Sequence, residues 1–314
     1  MAFVFKPYIA AINSNTGPRL QKDNFHGPWP APAKLNLMLR VLGQRLDGYH
    51  LLQTVFQFIN VGDLLYFRIR DDGYIKSTNN LREIPESVDL TVRAAYILQQ
   101  QTNCPLGVDI CLNKLLPLGS GLGGGSSDAA TTLVALNRLW QLGLTTRELL
   151  QLGLELGADI PVFINGTAAW GEGIGEQLTP IILPESWYII LVPNCQVSTK
   201  KIFTDSGLTS HKTSITIDDF IAGAIENDCL SIVQKNYPQV AKALEWLGTK
   251  GRLTGTGACV FAQMDSQYKA EQVVQKLPKD LSGFIAQGQN RSPLDIIRNY
   301  DYCLMFTKLK KGFE

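Results

Sequence analysis

The sequence predicts an α+β fold with two domains. The chain has 314 residues, about the length of two average domains. Segments with strand periodicity and segments with helix periodicity are interspersed, without the regular alternation of a doubly wound sheet. Hydrophobic residues make up 45% of the chain and charged residues 18%, so a sizeable core can form. We assign residues 1–28 to a poorly ordered N-terminal extension, 29–172 to one domain and 173–314 to the other.

The predicted elements before a glycine-rich stretch at 116–130 are mainly strands. In the first of them apolar side chains alternate with Lys34 and Asn36, so these two polar residues share one face. A turn-rich connection over 43–50 follows this strand. The strands are predicted at 33–41, 51–58, 64–70 and 108–112, and one helix at 90–101.

The elements after the glycine-rich stretch are mainly helices. Thr145 and Glu148 form a capping-box pattern at the beginning of one of them. Residues 158–161 are predicted as a turn that leads into a strand at 162–164. Further helices are predicted at 129–140, 145–156, 218–224, 229–236, 240–247 and 269–277. Further strands are predicted at 167–170, 176–180, 187–192 and 302–307, with a second glycine turn at 252–262 that leads into a strand.

Composition excludes several classes of function. The net charge of +1 gives no reason to expect a nucleic-acid partner, and no apolar run is long enough to span a membrane. Lys6 and Pro7 interrupt the apolar N-terminus, which makes it a poor signal peptide. The six cysteines form no C-x-x-C pair, so we expect reduced, buried thiols in a cytoplasmic protein rather than a disulfide framework or a zinc site. They are Cys104, Cys111, Cys195, Cys229, Cys259 and Cys303.

The stretch LPLGSGLGGGSSDAA at 116–130 has the features of an anion site. Five glycines lie between positions 119 and 125, directly before a predicted helix. Glycine lets backbone N–H groups approach an oxyanion, and the first turn of a helix adds unpaired N–H groups and a favourable dipole. Ser126 and Ser127 add hydroxyl donors. The stretch therefore predicts a phosphate site, most simply for a nucleotide.

The glycine pattern alone does not decide the nucleotide class. Gly119, Gly121 and Gly124 match the dinucleotide fingerprint, but no second strand with an acidic end follows about twenty residues later. No lysine within the loop supports a Walker A site, and the companion motifs of protein kinases are absent from the sequence. A loop without a ligand would rarely need five glycines, because they are costly to order.

Four motifs in order make the sequence resemble the GHMP kinases, which include galactokinase, homoserine kinase and mevalonate kinase. The glycine-rich stretch resembles their phosphate loop. PAKLNL (32–37), GxRxDGYH (43–50) and GADIPVF (157–163) are similar to members that phosphorylate a cytidine-diphosphate alcohol, and RLTGTGACVF (252–261) is similar to their C-terminal glycine motif.

The resemblance implies the GHMP-kinase fold, with an N-terminal domain at 29–172, a C-terminal domain at 173–314 and the active site in the cleft between them. It implies ATP as donor and Mg²⁺ held mainly through the nucleotide phosphates. It also implies phosphorylation of the 2-hydroxyl of 4-diphosphocytidyl-2-C-methyl-D-erythritol, in the non-mevalonate isoprenoid route of the bacterial cytoplasm. A different small alcohol as acceptor, or a nucleotide-binding module without catalysis, are the alternatives. The oligomeric state and the protein ligands of the metal stay open.

The resemblance also implies residue roles. Asp159 matches the base that takes the proton from the acceptor hydroxyl, and Lys34 matches the lysine that keeps this carboxylate ionised and neutralises charge in the transition state. The residues expected to bind the cytidine end are Asn36, Tyr49, His50, Thr199 and Phe203. The residues expected to bind ATP are Pro117, Leu118, Gly119, Ser120, Gly121, Leu122, Gly123, Gly124, Gly125, Ser126 and Ser127.

Overall fold

The computed structural model describes residues 24–78, 86–208 and 212–299. The first 23 residues of the predicted extension, the strand predicted at 302–307 and Cys303 lie outside this part of the chain. Strand β1 (His26–Gln44) begins inside the segment that we assigned to the extension. No helix in the described residues is both long enough and apolar enough to cross a membrane.

A long antiparallel hairpin is the centre of the sheet. β1 pairs along its length with β2 (His50–Arg70), whose sequence is rich in β-branched and aromatic residues. The two strands predicted at 51–58 and 64–70 are thus one continuous strand. The register shifts at several points, including one between Asn36 and Met38. Such bulges re-aim side chains locally, here in the segment that carries Lys34.

Four shorter strands lie on the side of β2 opposite β1. Two of them pair with β2 itself, and each of these has one outer neighbour. β4 (Gly107–Asn113) and β5 (Ala169–Glu172) pair with β2. The outer neighbours are β3 (Ile75–Ser77) on β4 and β6 (Gln177–Pro180) on β5.

The second half of the sheet is built from β7 (Trp187–Leu191), β8 (Arg252–Leu253), β9 (Val260–Met264) and β10 (Gly283–Gln289). β10 pairs with β7 over most of its length and with β2 at Gly288 and Gln289. It therefore joins the two halves of the chain into one ten-stranded sheet.

Helices cover the sheet and close its cores. Those of the first half are α1 (Leu90–Thr102), α2 (Gly124–Leu139), α3 (Thr146–Leu156) and α4 (Ile160–Asn165). Those of the second half are α5 (Thr199–Phe203), α6 (Ile217–Ile221), α7 (Leu230–Asn236), α8 (Pro238–Leu247), α9 (Gln267–Val274) and α10 (Pro293–Asn299). Short 3₁₀ turns lie at Glu86–Val88 and Gly248–Lys250.

The last helix returns to the first half of the chain. Leu294 and Ile297 of α10 belong to the same buried cluster as Phe163 and the core residues of α2. Arg298 donates to the carbonyl of Ile164 at 3.0 Å, which fixes α10 against the end of α4. The chain thus crosses back over the division predicted at residues 172 and 173, which stays a prediction.

The predicted α+β class is confirmed, and most elements lie where the periodicity placed them. The strand predicted at 162–164 is wrong, because these residues form α4. Pro161 occupies the first turn of this helix, where its missing N–H costs no hydrogen bond. Helix α2 begins at Gly124, five residues earlier than predicted. Strand β10 and helix α10 had not been predicted.

Candidate active site

The phosphate loop connects β4 to α2. Gly123 precedes the helix with φ 74° and Gly121 has φ 77°, a left-handed conformation that glycine adopts without strain. The last two glycines of the motif and Ser126 and Ser127 lie in the first turn of α2. The N–H groups that precede the first hydrogen bond of a helix have no partner within it, and here that first bond runs from Ser127 N–H to the Gly123 carbonyl at 2.8 Å. The loop and the helix terminus therefore have the geometry that an anion site needs, and the binding of a phosphate there stays a prediction.

Residues of the second glycine turn form hydrogen bonds to the backbone of the phosphate loop. The backbone N–H groups of Ala258 and Cys259 donate to the carbonyls of Gly119 and Ser120, at 3.3 and 2.9 Å. The hydroxyl of Thr254 lies 3.4 Å from the carbonyl oxygen of Gly121. Three consecutive loop carbonyls are thus anchored to the other half of the chain, which fixes the shape of the loop.

Lys34 and Asp159 meet beside this loop, although they are far apart in sequence. The Lys34 Nζ lies 3.3 Å from Asp159 Oδ2, and it donates to the carbonyl of Gly121 at 3.1 Å. Asp159 is the N-cap residue of α4, but its side chain accepts no capping hydrogen bond. The carboxylate is 41% exposed, whereas the lysine side chain is 3% exposed. The pair therefore presents an accessible carboxylate beside a buried cation.

Asn36 lies directly next to this pair. Its Oδ1 accepts from Lys34 Nζ at 2.6 Å, and its Nδ2 donates to Thr54 Oγ1 at 2.8 Å. Its backbone N–H donates to Thr254 Oγ1 at 3.0 Å. Both ends of the Asn36 carboxamide are therefore engaged within the protein, and the structure places this side chain at the ammonium of Lys34.

His50 and Phe203, two residues predicted for the cytidine end, are in contact. Their rings stack with centroids 5.2 Å apart and an interplanar angle of 27°. Burial lowers the pKa of His50, so its ring is neutral at pH 7 and offers one donor and one acceptor. Tyr49, next in the chain, is 57% exposed. This cluster can supply aromatic faces and a hydrogen-bonding edge to a flat base.

Thr199 connects the aromatic cluster to the second glycine turn. Its hydroxyl lies 2.9 Å from the hydroxyl of Thr256, and it begins α5, the helix that ends at Phe203. The five residues predicted for the cytidine end thus lie in three places. His50 and Phe203 touch each other, with Tyr49 adjacent to His50 in the chain. Asn36 lies with Lys34, and Thr199 lies at the turn that anchors the phosphate loop.

A second buried ion cluster fastens both ends of the phosphate loop. Lys114 Nζ donates to Asp63 Oδ2 at 2.7 Å and to Asp128 Oδ2 at 2.6 Å. The other oxygen of Asp63 accepts from the backbone N–H groups of Leu115 and Leu116, at 2.6 and 2.8 Å. Lys114 precedes the loop and Asp128 follows it, so this cluster holds the two ends together.

The charges of this cluster do not balance when both carboxylates are ionised. Burial raises the pKa of Asp128 well above its usual range, and the charge of Asp63 adds to the effect. Burial alone would lower the pKa of Lys114, but the charges of Asp128 and Asp63 outweigh it and raise the pKa. A proton on Asp128 leaves the cluster neutral, which is the state that a dry interior favours.

The cysteines form no disulfide within the part of the chain that the structure covers. Cys229 and Cys259 are buried, and Cys104, Cys111 and Cys195 are half-buried. Burial raises the pKa of Cys229 to about 12, so its thiol is protonated and unreactive at neutral pH. These positions agree with reduced thiols that serve packing.

Comparison with known proteins gives the same class. The N-terminal domain model of the GHMP kinases matches residues 89–167, and the C-terminal model matches 219–283. The chain is 53% identical to a 4-diphosphocytidyl-2-C-methyl-D-erythritol kinase of Alkalilimnicola ehrlichii, over 83% of this chain and 90% of the relative. The kinase of the same name from Pseudomonas syringae pv. syringae is 52% identical, over 84% and 95%.

A solved structure supports the fold as well. A crystal structure of 4-(cytidine 5'-diphospho)-2C-methyl-D-erythritol kinase has a TM-score of 0.67 and 26% identity, covering 82% of this chain and 98% of that chain. Fold, loop and domain matches define a GHMP kinase, as the motifs predicted. Within that class, the chain belongs to the family of 4-diphosphocytidyl-2-C-methyl-D-erythritol kinases.

Sequence reasoning missed several residues of the site. Thr54 lies in an apolar, strand-like segment and Thr254 in the second glycine turn, and their contacts with Asn36 join positions 18 and 218 residues apart. The role of Lys114, by contrast, could have been predicted from the sequence. A lone lysine at the end of a strand that leads into a phosphate loop needs a counter-charge. Asp128, three residues after the last glycine of the loop, was the available candidate.

We expect Gly121→Ala to disturb the loop severely. A Cβ at this position would lie 2.4 Å from the Thr254 carbonyl oxygen and 2.9 Å from that of Gly257, and φ is positive. Overpacking and left-handed strain together predict a loss of about 3 kcal/mol of unfolding free energy and weaker ATP binding. Thermal unfolding and calorimetric ATP titration measure both effects. Gly125→Ala is the matched control for folding, because its Cβ would meet only Leu90 at 3.6 Å; equal stability of the two variants would contradict the prediction.

Asp128→Asn should change how stability depends on pH. The folded-state pKa of Asp128 lies above the unfolded value of 3.8, so the folded protein retains a proton that the unfolded chain loses. This group therefore makes wild-type stability fall as pH rises above about 4. The unfolding free energy of the variant relative to wild type should increase between about pH 5 and about pH 8, measured by urea denaturation. Asp265→Asn is the control: Lys269 lowers the pKa of Asp265, so the contribution of this group to stability changes only below about pH 4 and its difference from wild type should be flat over this range. A flat difference for Asp128→Asn as well would refute the expectation.

Proposed function

We propose that this protein transfers the γ-phosphoryl group of ATP to the 2-hydroxyl of 4-diphosphocytidyl-2-C-methyl-D-erythritol. The observation that carries the proposal is the contact of Lys34 with both Asp159 and the phosphate loop, at 3.3 and 3.1 Å. It brings a candidate base, a cation and an anion site together. The names of the relatives supply the acceptor.

In the proposed reaction, Asp159 accepts the proton of the acceptor hydroxyl. The hydroxyl oxygen forms a bond to the γ-phosphorus as the bond to the leaving oxygen of ADP breaks. Lys34 holds the carboxylate in place and lies close enough to the loop to offset negative charge that develops on the transferred group. The loop N–H groups and the first turn of α2 bind the donor phosphates. Positioning and charge neutralisation are the main requirements of this chemistry.

Mg²⁺ fits the donor set of this site as a nucleotide-bound ion. No group of three His, Cys, Asp or Glu side chains in the described residues could hold a metal by itself. Mg²⁺ at phosphoryl-transfer sites needs few protein ligands, because it keeps water and phosphate oxygens. The buried hydroxyl of Ser127 has no hydrogen-bond partner among the described residues, so it is the candidate protein oxygen in the loop. When bound, the ion would neutralise charge on the β- and γ-phosphates.

The aromatic cluster supports a cytidine-bearing acceptor. A flat base needs an aromatic face and a hydrogen-bonding edge, which Phe203, Tyr49 and neutral His50 can provide. The alcohol end would then extend toward Asp159. Mevalonate or homoserine carries no base, so an acceptor of that kind would leave this cluster without a ligand.

A coupled assay of ADP release tests the proposal. Folded wild-type protein with ATP, Mg²⁺ and 4-diphosphocytidyl-2-C-methyl-D-erythritol should release one ADP for each acceptor phosphorylated. Mevalonate and homoserine in the same assay test the alternative acceptors. Absence of transfer to the cytidine-diphosphate alcohol overturns the proposal, and ATP binding without transfer to any alcohol would identify a binding module.

Asp159→Asn should separate catalysis from nucleotide binding. The amide keeps the size of the side chain but cannot accept the proton, so kcat should fall by about 10²–10⁴-fold. The dissociation constant of ATP should change by less than about threefold, because the loop is intact. Steady-state kinetics and calorimetry give the two numbers. Asp265→Asn, at an exposed side chain, is the control, and a kcat of Asp159→Asn equal to that of the control would remove Asp159 from its proposed role.

Phe203→Leu should affect the acceptor and leave the donor unchanged. Loss of an aromatic contact of about 0.5–1.5 kcal/mol predicts a rise of roughly twofold to tenfold in KM for the cytidine-diphosphate alcohol. The KM for ATP is the internal control and should stay constant. A parallel rise of both constants would show that Phe203 acts on the whole cleft and does not bind the base.

A further inference from the structure

The ammonium of Lys34 lies close to three oxygen atoms: it donates hydrogen bonds to two of them and forms an ion pair with the third. They are Asn36 Oδ1 at 2.6 Å, the Gly121 carbonyl at 3.1 Å and Asp159 Oδ2 at 3.3 Å. The shortest contact is to the neutral amide, which is 3% exposed, while the side chain of Asp159 is 41% exposed. The position of the ammonium therefore depends on the Asn36 carboxamide at least as much as on its charged partner.

The Asn36 carboxamide can serve Lys34 in only one orientation. Its oxygen must face the ammonium, because the NH₂ group in that place would set donor against donor. Rotation by 180° exchanges the two ends with little change of shape, so packing alone selects poorly between them. A hydrogen-bond partner at the other end has to make the selection.

Thr54 makes this selection because its hydroxyl hydrogen is already used. Thr54 Oγ1 donates to the Met38 carbonyl at 2.6 Å, and a carbonyl can only accept. The Thr54 oxygen therefore presents lone pairs to Asn36, 2.8 Å away, and only the NH₂ end can face it. Hydrogen bonds thus run in one direction, from Lys34 to Asn36 Oδ1 and from Asn36 Nδ2 through Thr54 to Met38.

The bulge in the hairpin makes this arrangement possible. Asn36 pairs with Phe56 across the strands, and the register then shifts so that Met38 pairs with Val55 and Leu39 with Thr54. This shift brings the Thr54 hydroxyl within reach of both the Asn36 amide and the Met38 carbonyl. Thr54 is 1% exposed, so water does not compete for these bonds.

We propose that Thr54 is a positioning residue for phosphoryl transfer, which sets Lys34 against Asp159 by fixing the orientation of the Asn36 carboxamide. It acts two side chains away from the reacting atoms. The proposal rests on the function proposed above, in which the Lys34–Asp159 pair performs the proton transfer. Thr54 itself touches neither substrate.

Thr54→Val tests this role, because valine has the same shape but no hydroxyl. We expect kcat to fall by about tenfold to a hundredfold, the range that a misplaced catalytic group can cost, with KM for ATP within about twofold. Thr54→Ser keeps the hydroxyl and should recover most of the lost kcat. Thr132→Val is the matched control: Thr132 is also fully buried and also donates to a backbone carbonyl, that of Asp128 at 2.8 Å, but no side chain in the described residues donates to it. Its kcat should stay within about twofold of wild type.

A double-mutant cycle with Asn36→Leu tests whether Thr54 acts through Asn36. If it does, Thr54→Val should lower kcat no further in the Asn36→Leu background, because the amide that it orients is gone. The proposal is overturned if the effects of Thr54→Val and Asn36→Leu on kcat multiply in the double mutant. It is also overturned if Thr54→Ser is as slow as Thr54→Val, or if Thr54→Val is as fast as the Thr132→Val control. If Thr54→Val does not fold, Thr54→Cys replaces it, because a thiol is a weak donor and acceptor of similar size. Its kcat is expected to lie between those of the Thr54→Ser and Thr54→Val variants.

A crystal structure of Thr54→Val distinguishes failure of this proposal from failure of the proposed function. An inactive wild type in the ADP-release assay refutes the function alone. The structure then still decides the positioning role. A Lys34 Nζ to Asn36 Oδ1 separation beyond hydrogen-bond distance supports it, and an unchanged contact of 2.6 Å refutes it.

Discussion

The ammonium of Lys34 is the point at which the separate parts of the site meet. Its two hydrogen-bond acceptors come from strand β1 and from the phosphate loop, and its ion-pair partner is the residue that precedes α4. Burial of an ammonium without partners would cost several kcal/mol, so the fold must bring these three partners to it. That requirement couples the position of the candidate base to the conformation of the loop. A change in either one is therefore transmitted to the other through a single buried charge.

The second glycine turn provides the rigidity that this coupling needs. Five glycines in seven positions would leave an isolated loop with many conformations. Here the carbonyls of Gly119, Ser120 and Gly121 are each held by residues 254–259, and Gly121 approaches that turn too closely to carry a side chain. The same glycines that open the loop to an anion therefore also allow the two halves of the chain to contact each other. The glycine content alone would allow the loop many conformations, and its contacts with residues 254–259 restrict it to one.

The class was predictable because the motifs that resemble the GHMP kinases are local in sequence, and the roles of the site residues follow from that resemblance and stay predictions. The glycine stretch, the pair Lys34 and Asn36 on one strand face, and Asp159 after Gly157 are each visible in a few residues. The missed elements lack such signals. Residues 162–164 form an apolar run too short for periodicity to distinguish strand from helix, and Pro161 was the better guide. The bonds from Asn36 to Thr54 and Thr254 depend on strand register and on a bulge, which a single sequence does not reveal.

Two lysine–carboxylate clusters flank the phosphate loop, and their difference in exposure explains their different roles. Lys114 lies between Asp63 and Asp128, both almost fully buried, so neither carboxylate can reach a substrate and the cluster serves only to hold the loop ends. Lys34 is more deeply buried than Lys114, but its carboxylate partner Asp159 remains accessible. A base must contact the proton that it removes. Only the cluster of Lys34 and Asp159 meets that condition. The buried residues Lys34, Asn36 and Thr54 fix the position at which the accessible carboxylate meets its cation.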